Sequence, residues 1–572
     1  MGSIQESAGR EPTPPYDFDP PSKERPAIYG WENTSSSGYK IDEVPSGLKR
    51  PLRVVVVGAG AAGINFAKFA QDRLENVNLT VYDRNKEVGG TWTENVYPGC
   101  ACDIPSVTYQ YTWEPKVWSK YYSEAPEILQ YFVDITHKYG LRKYIKLQHT
   151  IDKAEWDDQL GKWNLHITSL EESRSFHDQC DVLINAGGIL NYWKWPNVKG
   201  IEKYKGIKAH TAAYPKDLDL KGKRVAVVGT GSSGIQLITK LQPQVEKLYT
   251  WIRTPTWMTA GYAQAHAGPD GGNFEYPEEM RKRFAEDPEW YLKYRKTIEY
   301  EMSDFMFVHK NTPALNAANK FALADMQRRL ASRPDLMHTL IPKVFPLGCR
   351  RPTPGNGYLE ALISKNVSVF LAEALDEITE EGFKDPSGNE IQVDALLFAT
   401  GFDTTWVPRF PIISYGSNLQ DVYAEDPLGY FGVAAPEVPN YLTFYGPYGP
   451  AGQGSVLPMI EFMSRYHMQW IEKLQTERIK SFAPKRAVVD EYGAHADVWH
   501  KRTMIYSGVT HVGCSMELIS SLRPEDFNIT YQCKNRWNFL GNGFTQRDVN
   551  GKDITWYMGL VDGIDKQRDY VV

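Results

Sequence analysis

The run VVVVGAGAAG, residues 54–63, joins a predicted buried strand to a predicted helix. Four consecutive β-branched residues are typical of a parallel strand that is covered on both faces. Gly58, Gly60 and Gly63 follow the pattern GxGxxG, and the next predicted strand ends in Asp83. In a dinucleotide-binding fold, such glycines let a pyrophosphate approach the helix N-terminus, and the acid accepts hydrogen bonds from ribose hydroxyls. This order of elements predicts a dinucleotide site, and a purely structural glycine turn is the alternative.

A second run of the same kind, RVAVVGTGSSG, occupies residues 224–234. Its fingerprint glycines are Gly229, Gly231 and Gly234. The strand that follows ends in Arg253, with Thr254 next to it, where a site for NADH would place an acid. A guanidinium binds a 2′-phosphate with paired hydrogen bonds, whereas a carboxylate repels it. The second nucleotide is therefore predicted to be NADPH, and a surface arginine after a strand is the alternative.

Two similar apolar strands that run into glycines, at 181–188 and 394–401, lie on either side of the second fingerprint. Such strands recur where two nucleotide-binding domains are interleaved. The fold class predicted is therefore α/β, with two interleaved Rossmann-like dinucleotide-binding domains and a helical insertion. The predicted segments are an N-terminal extension (1–50), the first part of the first nucleotide-binding domain (51–195), the second nucleotide-binding domain (196–390) with its helical insertion at about 265–340, and the second part of the first domain with a C-terminal segment (391–572).

Composition and charge exclude several classes of protein. The 572 residues carry a net charge of −6 without a basic tract, which argues against nucleic acid as a partner. We expect no transmembrane segment, because no apolar run reaches about 18 residues. The six cysteines and the histidines form no zinc-binding pattern, so no metal is predicted. Sparse cysteine usage and a polar N-terminus predict a cytoplasmic protein.

Residues 89–103, GGTWTENVYPGCACD, form an aromatic motif shortly after the first nucleotide-binding unit. Adjacent glycines let a backbone pass close to a flat ligand, and Trp92 and Tyr97 offer broad apolar faces. The Tyr-Pro-Gly sequence predicts a tight turn, and Asp103 then arrives as a carboxylate in a nearly uncharged run. The motif indicates the wall of a cofactor pocket, and a connector with core aromatics is the alternative.

This motif matches GGxWxxxxYPGxxxD at every defined position and resembles the sequence that follows the FAD fingerprint in Baeyer–Villiger monooxygenases. Residues 204–215 are similar to the linker sequence of that family, FxGxxxHxxxWP, with Tyr at both aromatic ends. Residues 347–358, LGCRRPTPGNGY, resemble fungal members that act in secondary metabolism. The resemblance implies FAD at the first nucleotide site and NADPH at the second.

The resemblance also implies roles for individual residues. Arg350 helps to hold the 2′-phosphate, and Arg351 faces the flavin, where a fixed cation stabilises the anionic oxygenating species. Asp103 pairs with Arg351, while Trp556 lines the nicotinamide side of the site. His210 is interpreted as a hydrogen-bonded structural residue rather than an acid–base catalyst. The predicted catalytic residues are Arg351 and Asp103. The predicted cofactor-binding residues are Gly58, Gly60, Gly63, Asp83, Gly90, Thr91, Trp92, Tyr97, Asp103, Gly229, Gly231, Gly234, Arg253, Thr254, Arg350 and Trp556.

The function that the resemblance implies is an FAD- and NADPH-dependent Baeyer–Villiger monooxygenase. It inserts one oxygen atom of O2 beside a ketone carbonyl, giving an ester or lactone, on a polyketide-like substrate. One alternative is a flavin monooxygenase that oxidises nitrogen or sulfur. Another is a nucleotide-binding protein that has lost oxygenation, which Tyr204 and Tyr214 keep open because they depart from the family pattern. A disulfide reductase is disfavoured because Cys100 and Cys102 are spaced CxC rather than CxxC.

Overall fold

The computed structural model describes residues 34–259, 263–303, 309–349, 353–450, 454–504, 509–510 and 512–550. The chain divides into two compact units. The larger unit comprises residues 51–472 and 480–530 and contains both glycine fingerprints. The smaller unit comprises residues 1–50, 473–479 and 531–572. In its described part, Pro45 pairs with Gly541, and the Arg50 guanidinium donates to the carbonyl oxygens of Leu474 and Ile479.

Helices and strands alternate through both nucleotide-binding regions, as the fold class requires. The helices are α1 (Ala61–Arg73), α2 (Thr91–Glu94), α3 (Ala125–Lys138), α4 (Ser232–Leu241), α5 (Glu278–Glu286), α6 (Pro288–Ser303), α7 (Pro313–Arg329), α8 (Pro334–Leu340), α9 (Tyr358–Leu362), α10 (Leu419–Glu425), α11 (Val456–Thr476), α12 (Arg486–Arg502), α13 (Val512–Leu518) and α14 (Gln546–Asn550). Across the described ranges, none of these helices combines the length and the apolar character that crossing a membrane demands.

The strands group into two parallel sheets, one mixed sheet and several short pairs. The strands are β1 (Leu52–Val57), β2 (Val77–Tyr82), β3 (Ile145–Lys146), β4 (His149–Asp157), β5 (Lys162–Ser169), β6 (Arg174–Cys180), β7 (Val182–Asn185), β8 (Ile207–His210), β9 (Arg224–Val228), β10 (Lys247–Ile252), β11 (Met258–Thr259), β12 (Thr353–Pro354), β13 (Val367–Leu371), β14 (Gly382–Lys384), β15 (Glu390–Gln392), β16 (Ala395–Phe398), β17 (Ile412–Ser414), β18 (Ser417–Asn418), β19 (Tyr441–Thr443), β20 (Gly449–Pro450), β21 (Ile479–Pro484), β22 (Val509–Thr510) and β23 (Phe527–Tyr531).

The first parallel sheet has the order β19-β7-β1-β2-β3, with β1 at its centre. Val54, Val55 and Val56 are completely buried, which explains the unbroken run of β-branched residues in β1. Strand β19 comes from a distant part of the chain and joins this sheet beside β7. The first nucleotide-binding region is thus completed by residues that follow the second, which is the interleaving that the sequence predicts.

The second parallel sheet has the order β13-β10-β9-β16-β8. Strand β16 pairs in parallel with both β9 and β8, so residues 395–398 belong to this sheet. The predicted boundary at 390 places this strand in the first domain, and that assignment is wrong. The reason is that each nucleotide-binding sheet contains an apolar strand that runs into glycines, so the sequence of such a strand does not show which sheet it joins. The other predicted boundaries stay predictions.

The helical insertion is divided into several helices. The long charged segment from Glu278 forms two helices. Helix α5 ends at Glu286, Asp287 follows it, and Pro288 begins α6. Proline is favoured in the first turn of a helix but lacks the N–H that a continuous helix would need. The buried face of α6 packs on the chain that follows the aromatic motif: Tyr291 donates to the Lys116 carbonyl, and Arg295 donates to the Val107 carbonyl.

Candidate active site

The first fingerprint forms the turn between β1 and α1. Gly60 is the N-terminal flanking residue of α1, and no side chain caps this end of the helix. The first N–H groups of α1 therefore have no side-chain acceptor, which is how a helix N-terminus binds a phosphate. Gly58 and Gly63 lie at the start of the turn and in the first helical turn. This arrangement fits the pyrophosphate of a dinucleotide.

Asp83 follows β2, as predicted, and the residue is buried, with 7% of its surface exposed. One carboxylate oxygen accepts from the Ala59 N–H at 2.7 Å, and the other accepts from the Asn85 N–H at 2.7 Å. Burial raises the pKa of Asp83, and the two N–H donors oppose this rise. The carboxylate thus stabilises the glycine turn, and each of its oxygens can still accept a hydrogen bond from a hydroxyl group. Its role in binding ribose stays a prediction.

The aromatic motif begins directly on this glycine turn. The Gly89 N–H donates to the Ala59 carbonyl at 3.0 Å. At Gly90, φ is +55°, and an added Cβ would lie only 2.9 Å from the Gly60 Cα. Any side chain at Gly90 would therefore push into the turn that the phosphate approaches. The contact brings two predicted cofactor-binding glycines together.

Trp92 and Thr91 lie in α2, which follows Gly90. Trp92 is 9% exposed, and its indole N–H donates to the Tyr109 hydroxyl at 3.0 Å. The two rings also meet edge to face, with centroids 5.6 Å apart. Tyr109 is absent from the sequence prediction, because nothing in its local sequence marks it as a neighbour of the motif.

The second half of the motif contacts the second nucleotide-binding region. Tyr97 is buried, and its hydroxyl donates to the side-chain oxygen of Gln236, on α4, at 2.7 Å. The Gln236 amide in turn donates to the Ala101 carbonyl at 3.0 Å. Burial raises the pKa of Tyr97 and of Tyr122, and the charge of Asp103 contributes to both rises. Asp103 is therefore close to both phenols, in a half-buried position.

The second fingerprint presents a second uncapped helix. Gly231 precedes α4 without a side-chain cap, and open space surrounds the position that a Cβ would take there. Gly229 and Gly234 lie on either side of it in the same turn. The next strand, β10, ends beside Arg253 and Thr254, and both side chains are exposed. Within the described ranges no carboxylate pairs with Arg253, so its guanidinium is open to an anionic ligand. This geometry fits a dinucleotide with a 2′-phosphate.

Three predicted site residues lie outside the described residues: Arg350, Arg351 and Trp556. The pairing of Asp103 with Arg351 therefore stays a prediction, as do the roles of Arg350 and Trp556.

His210 is fully buried at the end of β8, where its ring stacks on Trp193 with the centroids 4.5 Å apart. Its Nδ1 accepts from the Ala212 N–H, so the ring proton is assigned to Nε2, which faces the Thr400 hydroxyl at 3.1 Å. Burial lowers the pKa of His210 to about 4. A neutral ring held at both nitrogens agrees with the structural interpretation of this residue rather than with acid–base catalysis.

A model of the flavin-binding monooxygenase-like family matches residues 51–336. FAD-binding monooxygenase tazF of Aspergillus terreus is 37% identical over an alignment that covers 94% of this chain and 100% of the relative. The chain belongs to the flavin-binding monooxygenase-like family. This membership confirms the prediction of a flavin monooxygenase that the glycine turns and the aromatic motif support.

A further relative and a solved structure are also similar to this flavin monooxygenase. A Baeyer–Villiger monooxygenase of Pseudomonas aeruginosa is 28% identical, with 78% of this chain and 82% of the relative covered. A crystal structure of OTEMO in complex with FAD and NADP matches with a TM-score of 0.72 and 24% identity, over 84% of this chain and 100% of that one. These matches confirm the resemblance stated from the sequence and the predicted α/β fold class.

Proposed function

We propose that this flavin monooxygenase carries out a Baeyer–Villiger reaction, inserting one oxygen atom of O2 beside a ketone carbonyl to give an ester or lactone. The observation that carries this proposal is the position of residues 89–103. Gly90 touches the first glycine turn, and Tyr97 is bonded to the helix that starts at the second. One motif thus joins both nucleotide sites and ends in Asp103. The name of the Pseudomonas aeruginosa relative supports the same reaction.

The cofactors are FAD and NADPH, and the sites described above fit them. The first glycine turn and Asp83 would hold FAD, with Gly90, Thr91 and Trp92 on its flank. The second turn would hold NADPH, with Arg253 and Thr254 at its 2′-phosphate and with Arg350 as a further cation. When both are bound, NADPH supplies electrons to the flavin, and the reduced flavin activates O2.

The chain's own residues orient these groups and keep water away from them. The buried rings of Trp92 and Tyr97 form an apolar wall, so charges in the site are screened less than in water. Arg351 supplies a fixed positive charge to the oxygen atoms that carry negative charge as the ketone is attacked. In this proposal Asp103 would pair with that guanidinium, an interaction that a Lys at 351 would not reproduce. His210 takes no proton in this scheme, because burial keeps it neutral.

The substrate is a ketone of polyketide type, and the protein acts in secondary metabolism in the cytoplasm. The run LGCRRPTPGNGY, residues 347–358, supports the polyketide-type ketone, because it resembles fungal members that act in secondary metabolism. A fungal relative, in Aspergillus terreus, which this chain matches over nearly its whole length, agrees with the resemblance to fungal members of the family.

Product analysis under isotopically labelled O2 tests this proposal. The purified holoenzyme is incubated with NADPH and a set of aromatic and cyclic ketones, each paired with the thioether of the same skeleton. We expect esters or lactones that carry one labelled oxygen and retain the original carbonyl oxygen. Labelled sulfoxides without any ester would establish heteroatom oxygenation instead. Consumption of NADPH with hydrogen peroxide as the sole product, across all ketones, would contradict the proposal.

A further inference from the structure

The turn at Tyr97-Pro98-Gly99 rests directly on helix α4 of the second nucleotide-binding region. Gly99 has φ of +82°, and a Cβ there would lie 2.9 Å from the Gln236 carbonyl oxygen and 3.1 Å from the Lys240 Cβ. At Gly99 the backbone of the motif therefore lies too close to α4 to admit a side chain. The contact extends over one helical turn, from Gln236 to Lys240.

The Gln236 side chain closes this contact with two hydrogen bonds to different parts of the motif. Its oxygen accepts from the Tyr97 hydroxyl at 2.7 Å, and its nitrogen donates to the Ala101 carbonyl at 3.0 Å. A primary amide is suited to this arrangement, because it offers an acceptor and a donor on one planar group. Tyr97 and Ala101 flank the turn, so the amide holds the turn at both ends.

The far side of the motif is fixed independently. Cys102 donates to the Ser123 carbonyl, and the Ala125 N–H donates to the Cys100 carbonyl. The chain before α3 is paired in turn with the start of the helical insertion, where the Tyr122 N–H donates to the Asn273 side chain. With one side of the motif anchored in this way, the Gln236 contact determines where α4 sits against it.

We propose that Gln236 is a positioning residue for electron transfer, clamping the helix of the NADPH site onto the motif that flanks the flavin. Gln236 lies about one turn into α4, whose N-terminus is the predicted phosphate site. Moving α4 relative to residues 97–101 would move the bound nucleotide relative to the flavin side. A displacement of about 1 Å at a reacting centre can cost about 100-fold in rate, so a small loosening is measurable. The inference rests on the proposed placement of NADPH at the second fingerprint.

The main test compares Gln236→Leu with Gln242→Leu in the flavin-loaded protein. Gln242 directly follows α4, and its side-chain amide donates to the Asn366 side chain at 2.8 Å rather than to the motif. Anaerobic stopped-flow mixing with NADPH gives the rate of flavin bleaching at saturation and the nucleotide Kd. We expect Gln236→Leu to slow bleaching by about tenfold while Kd changes by less than about threefold, because the phosphate contacts are intact. Gln242→Leu keeps the wild-type rate.

A second readout needs no nucleotide and no turnover. Hydrogen exchange is followed at the Cys100 N–H, which donates to the Tyr97 carbonyl within the turn. We expect exchange about tenfold faster in Gln236→Leu and unchanged in Gln242→Leu, since releasing the clamp lets the turn open. If NADPH bleaches neither wild type nor variant, the nucleotide placement is wrong, and the exchange comparison still tests the clamp.

Variants with smaller changes keep the test open if Gln236→Leu does not fold. Tyr97→Phe removes one hydroxyl, and Gln236→Glu keeps the acceptor for Tyr97 but loses the donor to Ala101. Both are expected to slow bleaching by less than Gln236→Leu, and Tyr97→Phe added to Gln236→Leu is expected to slow it no further. Wild-type bleaching and exchange in every Gln236 variant would overturn the proposal. Equal slowing in Gln242→Leu would also overturn it, because the effect would then be general loosening of α4.

Discussion

The Asp83 carboxylate ties the end of β2 to the first glycine turn through the Ala59 and Asn85 N–H groups. The sequence predicts an acid at this position from the spacing of the fingerprint. Its bonds to the backbone could not be predicted, because they depend on the turn conformation that the fold creates. The same limit applies to Gln236, whose importance comes from Tyr97 and Ala101, more than 130 positions away in the sequence. One signal was available, because Gln236 lies only two positions after Gly234, the last glycine of the second fingerprint.

Arg253 is predicted to make the second nucleotide site prefer NADPH over NADH. Arg253→Ala is expected to lower kcat/KM for NADPH by about 10- to 100-fold, since a hydrogen-bonded pair of charges is removed from the 2′-phosphate. The value for NADH is expected to change by less than about threefold, because NADH has no such phosphate. Steady-state NADPH and NADH oxidation at a fixed ketone concentration measures both.

Arg174→Ala is the matched control, because Arg174 is 71% exposed on β6, far along the chain from either fingerprint. It is expected to behave as wild type with both nucleotides. Equal losses with NADPH and NADH in Arg253→Ala would show that Arg253 serves the structure of the site rather than its specificity.

At the scale of elements, the parallel strands and the helices that follow each fingerprint were predictable from β-branched runs and glycine spacing. The break between α5 and α6 falls at Pro288, inside a run of charged and aromatic residues whose helical pattern continues on both sides of it. Strand β16 was assigned to the wrong domain, because residues 181–188 and 394–401 share the pattern of an apolar strand that runs into glycines. Local sequence therefore identified β16 as a strand, whereas the sheet that it joins depends on tertiary contacts.

Helix α6 is held against residues 107–118 by Tyr291, which is 3% exposed. Its hydroxyl donates to the Lys116 carbonyl at 2.7 Å and accepts from the Gln110 amide at 3.0 Å. Tyr291→Phe is expected to destabilise the protein by about 1–3 kcal/mol, because the buried Gln110 donor and the partly buried Lys116 carbonyl each lose a partner. Urea unfolding, followed by tryptophan fluorescence, measures this loss.

Tyr300→Phe provides the comparison, since Tyr300 lies on the same helix and is 78% exposed. Its urea midpoint is expected to equal that of wild type. Unchanged midpoints in both variants would show that the Tyr291 hydroxyl does not contribute measurably to holding α6 in place.

At the scale of the whole molecule, the two parallel sheets and the motif that joins their glycine turns are organised for two nucleotides. The sequence predicted this plan because each fingerprint combines several spaced residues with the correct order of elements. The predicted oxygenation chemistry depends on Arg351, which lies outside the described residues, and on Asp103. The sequence indicates at most the class of the ketone and not its identity, because substrate recognition depends on the shape of a pocket built from distant segments.

A single-turnover experiment with wild type and Arg351→Ala therefore separates oxygenation from flavin reduction. Each protein is reduced anaerobically with one equivalent of NADPH, then mixed with oxygenated buffer and a ketone that the wild type accepts. We predict ester or lactone in wild type, and hydrogen peroxide with no ester in Arg351→Ala, although both are reduced by NADPH. Ester formation at the wild-type yield in Arg351→Ala would contradict the assigned role of this cation. Hydrogen peroxide alone in wild type, with every ketone tested, would contradict the Baeyer–Villiger reaction itself.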